Sequence, residues 1–134
     1  MKLCIDEIFE MLSILNDKAT QFRGIEEGKK VKHLSVFFQP IDVGGIYLWE
    51  NCAKIITSKS DDELEQYIIP MFEWLKDMNW PGAEIIYERL KSMPFEFVKT
   101  DYDICFQMSE QSRDEVWNNV LLNFVKHTGD GSLC

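Results

Sequence analysis

The chain has 134 residues, 46% hydrophobic and 13% aromatic, with a formal net charge of −9. That supplies enough apolar side chain for a core built around large rings, so a disordered chain is excluded and a single helical domain over residues 1–134 is expected. The charge argues against nucleic acid and anionic membranes as partners and leaves a protein with a basic surface as the electrostatic complement, although solubility alone accounts for an acidic cytosolic chain and is the preferred reading.

Residues 4–15 place Ile5, Ile8, Phe9, Leu12 and Leu15 on one helical stripe. Gly24 and the run Glu26-Glu27-Gly28-Lys29-Lys30 read as a solvated loop or weak helix. Over residues 31–38 two periods compete. Val36-Phe37-Phe38 favours a short strand, while Val31, Leu34, Phe37 and Phe38 fit a helical face. Pro40 and Gly44-Gly45 end that segment. A helical period returns over residues 46–56 through Trp49, Cys52, Ala53 and Ile56.

Ser60-Asp61-Asp62-Glu63 has the form of a capping box, with Asp61 and Asp62 suited to the positive end of a helix. Leu64, Tyr67, Ile68, Met71, Phe72 and Leu75 continue the stripe, and Pro70 should kink or split it near Ile69. Trp80 precedes a proline and is pushed off helical torsions, while Pro81 suits the first position of the next helix. Ala83, Ile86, Tyr87 and Leu90 give that helix its inner face, and Pro94 closes it. A further helix is expected over residues 97–109 through Val98, Tyr102, Cys105 and Met108. Ser112-Arg113-Asp114-Glu115 reads as a second capping box, opening a last helix with Val116, Trp117, Val120, Leu121, Phe124 and Val125 inward. His127 suits the end of that helix and Gly129 its stop. The fold class is all-α: five or six helices as antiparallel hairpins, in a HEAT-like short α-solenoid or a compact bundle.

No stretch has the apolar length that a bilayer demands, and Asp6 and Glu7 stand where an export signal has its apolar run. Cys134 is not at the prenylation position. Cys4, Cys52 and Cys105 lie beside apolar helical positions and read as free buried thiols in a reducing cytoplasm.

Catalytic constellations are scarce. His33 and His127 lack ligands at metal spacing. Asp61-Asp62 and Asp101-Tyr102-Asp103 lack a phosphate-cradling element, so capping and solvation explain them better. No nucleophile elbow occurs, and Tyr87-Glu88-Arg89 looks like ordinary helix surface. No catalytic, cofactor or metal residue is therefore assigned. The candidate site is the corner formed by Trp74, Asp77, Asn79, Trp80 and Pro81. Trp49 and Trp117 read as core. At the corner the preferred reading is structural: the Trp74 and Trp80 rings pack on each other while Asp77 and Asn79 bond loop amides. The sharper reading is an aromatic hot spot for a partner.

Leu48-Trp49-Glu50-Asn51-Cys52-Ala53-Lys54-Ile55 and Phe72-Glu73-Trp74-Leu75-Lys76-Asp77-Met78-Asn79-Trp80-Pro81-Gly82-Ala83 resemble a small bacterial family of unknown function with a Glu-Trp-Leu-x-Asp-x-Asn-Trp-Pro-x-Ala signature. The resemblance is best over residues 48–90. It implies a small, all-helical, HEAT-like domain from a bacterium, often a firmicute, and brings no catalytic residues. The expectation is a non-enzymatic cytoplasmic protein-interaction domain; by analogy with small acidic bacterial immunity proteins, its partner would be a basic toxin. The alternative is a small enzyme or ligand-binding protein whose site assembles from dispersed residues such as Cys52, Tyr67, Asp77 and Glu88.

Overall fold

Helical hydrogen bonding accounts for all regular structure in the computed structural model, which describes residues 3–41 and 44–126. The α-helical segments are α1 Ile5–Leu12, α2 Lys18–Gly28, α3 Trp49–Thr57, the single turn α4 Asp61–Leu64, α5 Ile68–Trp74, α6 Ala83–Lys91, α7 Phe95–Gln111 and α8 Glu115–Lys126. Short 3₁₀ turns occupy Leu34–Phe37, Gly45–Leu48 and Glu65–Tyr67. The class is all-α as expected, but among the described residues there are seven helices and one isolated turn, not five or six. The β-favouring Val36-Phe37-Phe38 enters a 3₁₀ turn that buries Leu34 and Phe37. Among the described residues no helix is long and apolar enough to cross a membrane. His127, Gly129 and Cys134 lie outside the described residues.

The largest departure is α2, which replaces the expected loop. Asp17 caps it, its carboxylate accepting from the Thr20 amide at 2.7 Å. Gly24 and Gly28 lie one helical turn apart and both are buried. A Cβ on Gly24 would stand 2.8 Å from the Met11 Cβ, and one on Gly28 would overlap the Ile55 Cδ1. Glycine here lets the α2 backbone approach α1 and α3 closely. α1 stops at Leu12, where Ser13 turns extended, so Leu15 leaves the predicted stripe and is 74% exposed.

Pro70 splits its helix earlier than expected. The break is the 3₁₀ turn Glu65–Tyr67, and Pro70 falls in the first turn of α5. Its ring excludes a helical carbonyl four residues back, and a missing amide does no harm in a first turn. The Ser60 box forms as read: the Glu63 amide donates to Ser60 Oγ at 3.2 Å and the Ser60 amide to Glu63 Oε1 at 3.1 Å. The Ser112 box does not form. α7 runs on to Gln111, Ser112 becomes its last cap, and Asp114 starts α8 by accepting from the Trp117 amide at 3.0 Å. The Asp114 amide reaches the Ser109 carbonyl and the Arg113 amide the Glu110 carbonyl. This is a Schellman motif with Arg113, at φ 57°, where glycine is usual. Val116 consequently faces outward, while Trp117, Leu121 and Phe124 are buried.

Packing follows a path through the fold: α1 on α2, α2 on α3, α3 on α6, α6 on α5, α5 on α7, α7 on α8. One cluster of buried side chains extends along it from Ile8 to Phe124.

Candidate functional site

The corner after α5 is built from two nested turns. Asp77 Oδ1 accepts from the Asn79 amide at 2.8 Å, and the Asp77 carbonyl accepts from the Trp80 amide at 3.0 Å. The Ala83 amide then donates to the Trp80 carbonyl at 3.1 Å, with Gly82 at φ 86°, ψ −13°. These values fit a type II turn with Pro81 and Gly82 at its centre. Pro81 is therefore not the first residue of α6, which begins at Ala83. The fixed φ of proline suits the second position of this turn equally well. A Cβ on Gly82 would lie 2.8 Å from the Ala53 Cβ and 3.0 Å from the Trp49 carbonyl oxygen, so the turn sits directly on α3. Asn79 supplies its backbone amide to the turn and is itself exposed.

Trp74 is fully buried and its Nε1 donates to the Pro81 carbonyl at 3.1 Å. Trp80 is half-buried. The two rings meet through a third rather than with each other: Trp49 lies edge-on to Trp74 at 6.3 Å and to Trp80 at 5.8 Å. Trp49 is itself only partly buried and donates to the Pro40 carbonyl at 2.8 Å, which ties the corner back to the N-terminal segment. Trp117 is buried, with Nε1 on the Phe72 carbonyl at 2.9 Å and Lys76 Nζ over its ring.

The dispersed residues of the alternative reading occupy different settings. Cys52 is fully enclosed, and burial pushes its thiol up to about 12, so it stays protonated and is a poor nucleophile at neutral pH. Cys105 is pushed up to about 12 as well, chiefly by burial and then by Glu73 and Asp101. Tyr67 stacks on Phe38 and lines a hollow of about 200 Å³ with Lys59 and Glu63. Of the four residues only Tyr67 lines it. Asp77 is committed to the turn, and Glu88 is exposed on α6. Cys4 is exposed, not buried, because it precedes α1 as its cap.

Two polar residues outside the predicted site hold long-range positions. Arg89 donates to the carbonyls of Thr57 and Lys59 at 3.2 and 2.8 Å and pairs with Asp61 at 2.7 Å. It bridges the end of α3 and the start of α4, so this stretch of α6 is not ordinary surface. Asn51 is buried and donates to the Leu12 carbonyl at 2.7 Å and to Gln21 Oε1 at 3.0 Å. Gln21 in turn donates to the Asn16 carbonyl at 2.7 Å. An amide among the apolar neighbours of α3 is the one sequence signal for this network. Arg89 gives no such signal, because its acceptors lie about thirty residues away in the chain.

The network fixes the α1–α2 turn with its apolar residues outward. Ile14 and Leu15 are 44% and 74% exposed, and Ile46 and Tyr47 are 47% and 49% exposed. The Ile14 amide donates to the Tyr47 carbonyl at 3.1 Å, so the two segments adjoin. This apolar surface lies outside the predicted corner.

A family model described as a domain of unknown function (DUF5071) matches residues 50–130, and the chain belongs to that family. Neither the curated proteins nor the solved structures give a match to the chain.

Proposed function

We propose that this family member is a non-enzymatic protein-interaction domain of a bacterial cytoplasm. The observation that carries the reading is the adjoining exposed surface of Ile14, Leu15, Ile46 and Tyr47. Apolar side chains held outward by a buried amide network favour a macromolecular partner over solvent. Charge supports a division of labour. Residues 1–49 carry six basic and seven acidic residues, whereas residues 50–134 carry eight and sixteen. A partner with an apolar centre and a basic flank is the complement, and a basic toxin neutralised by this chain is the specific form we favour. The packing of α3 on α6 and of α5 on α7 across intervening elements supports a HEAT-like stack of hairpins. Free Cys4, Cys52 and Cys105 suit a reducing compartment. The enzyme alternative has less support, since Cys52 is enclosed and protonated.

The test is co-expression with the products of adjacent genes, followed by affinity purification. A Leu15→Glu, Tyr47→Glu double variant should keep its unfolding midpoint, because both side chains are exposed, and should lose the partner. A complex that the double variant retains at full strength would overturn the assignment of this surface. Failure of every adjacent basic product to bind or be inhibited would overturn the toxin form.

A further inference from the structure

We propose that the hollow between the start of α1 and the segment 31–36 binds a single-chain amphiphile with a carboxylate head, that is, a fatty acid. The hollow has a volume of about 1000 Å³, at the top of the range for small-ligand sites. Leu3, Ile5, Ile8, Val31 and Val36 form its apolar lining. Cys4, Glu27, Lys30, Lys32 and His33 complete the lining, so one carboxylate stands there against two lysines. Lys30 already pairs with Glu27 at 3.1 Å, whereas Lys32 enters none of the ion pairs among the described residues.

The charge complementarity is local and runs against the whole. A chain of net charge −9 here presents two lysines against the single carboxylate of Glu27, and Lys30 pairs with that carboxylate, which leaves Lys32 in excess beside an apolar cup. One carboxylate gains from the adjacent lysine, while a polyanion or anionic membrane meets the acidic field of the remaining surface. Shape narrows the occupant further. α1 lines the hollow only through its first turn and the two residues before it. A partner helix anchored over two turns needs a longer groove. An alkyl chain fills the cup, and its head reaches the rim. This inference is independent of the protein-binding surface at Leu15 and Tyr47, neither of which lines the hollow.

Isothermal titration of the full chain with dodecanoate, kept below its micellar concentration, tests it. Dodecanoate should saturate one site per chain, dodecan-1-ol should bind at least tenfold more weakly, and acetate should give no binding. Val36→Glu should abolish dodecanoate binding and Lys32→Glu should weaken it about tenfold. Both positions are exposed, and an unchanged unfolding midpoint verifies the fold of each variant. The Leu15→Glu, Tyr47→Glu double variant should bind dodecanoate normally, so loss of the partner and loss of the ligand are separable results. Absence of saturable dodecanoate binding, equal binding of dodecan-1-ol, or full binding by Val36→Glu would each overturn the proposal.

Discussion

Between Asn51 and Phe124 the interior is built around ring–ring contacts, whereas in residues 3–48 the buried side chains of Ile8, Leu12, Leu34, Phe37 and Leu48 are joined by close backbone approach and a buried amide pair. Phe72 meets Tyr102 and Phe124 edge-on at 5.7 and 5.3 Å, and Tyr102 donates to the Leu121 carbonyl at 2.6 Å. Large side chains there fill space and bind neighbouring helices in one contact. The N-terminal layer instead seats Gly24 against α1, Gly28 against α3, and the Asn51–Gln21 amides against the turn between them. Some of its large apolar side chains face outward, among them Leu15, Phe22 and Ile41. The family match covers the ring-built part and leaves the glycine-built layer outside. The two parts therefore differ in how they are held together.

The sharpest way to break this comparison is at Trp74. Trp74→Ala should cost ~4 kcal/mol, as for other fully buried large aromatic residues, and strand the Pro81 carbonyl as well. Urea unfolding should show a large drop in midpoint. A midpoint close to that of the wild type would mean that the rings do not carry the family part.

In the other layer, Gly24→Ala should destabilise by about 2 kcal/mol through overpacking against Met11, even though alanine is the better helix former by roughly 1 kcal/mol. Hydrogen exchange should show the loss concentrated in residues 5–28, with amides of α5 and α7 protected almost as before. A neutral or stabilising Gly24→Ala would show that close backbone approach is not what holds α2.

Where the signals were local, the sequence was legible. The Ser60–Glu63 box spans four residues and forms as read, and the stripes of α3, α5 and α6 bury Cys52, Met71 and Ile86. Where two signals compete, the reading slips. Ser112 and Asp114 both can cap a helix, and the longer run of α7 leaves only Asp114 free to do so. Gly24 and Gly28 announce a loop by composition, yet their spacing of four puts them on one helical face. Arg89 and the Leu15–Tyr47 surface were not legible, because each depends on segments brought together by the fold. At the corner, residue identity marked the place and the type II turn decided the roles.

Trp80 tests how far the ring-built part extends. Its half-buried ring rests edge-on against Trp49, so Trp80→Ala should cost about 2 kcal/mol, roughly half the full aromatic penalty. Asp77→Ala should cost about 1 kcal/mol for the lost turn bond, and Asn79→Ala close to nothing. Chemical denaturation of the three variants should return that order. An Asn79→Ala loss as large as that of Trp80→Ala would place the corner's strength in its polar groups.

The smallest effect concerns strain, which the two parts share. Arg113 in the family part and Gln39 in the N-terminal layer hold φ of 57° and 49°, torsions that cost a non-glycine residue about 1 kcal/mol. At Arg113 the Schellman bonds come from the backbone, so glycine can make them with no steric penalty. The arginine is exposed and its side chain enters none of the ion pairs among the described residues. Glycine also loses more freedom on folding, which offsets part of the gain. Arg113→Gly should therefore raise stability by about 0.5–1 kcal/mol, read as a higher urea midpoint at unchanged slope. A loss of stability would mean that the arginine side chain, and not the turn, is what fastens α8 to α7.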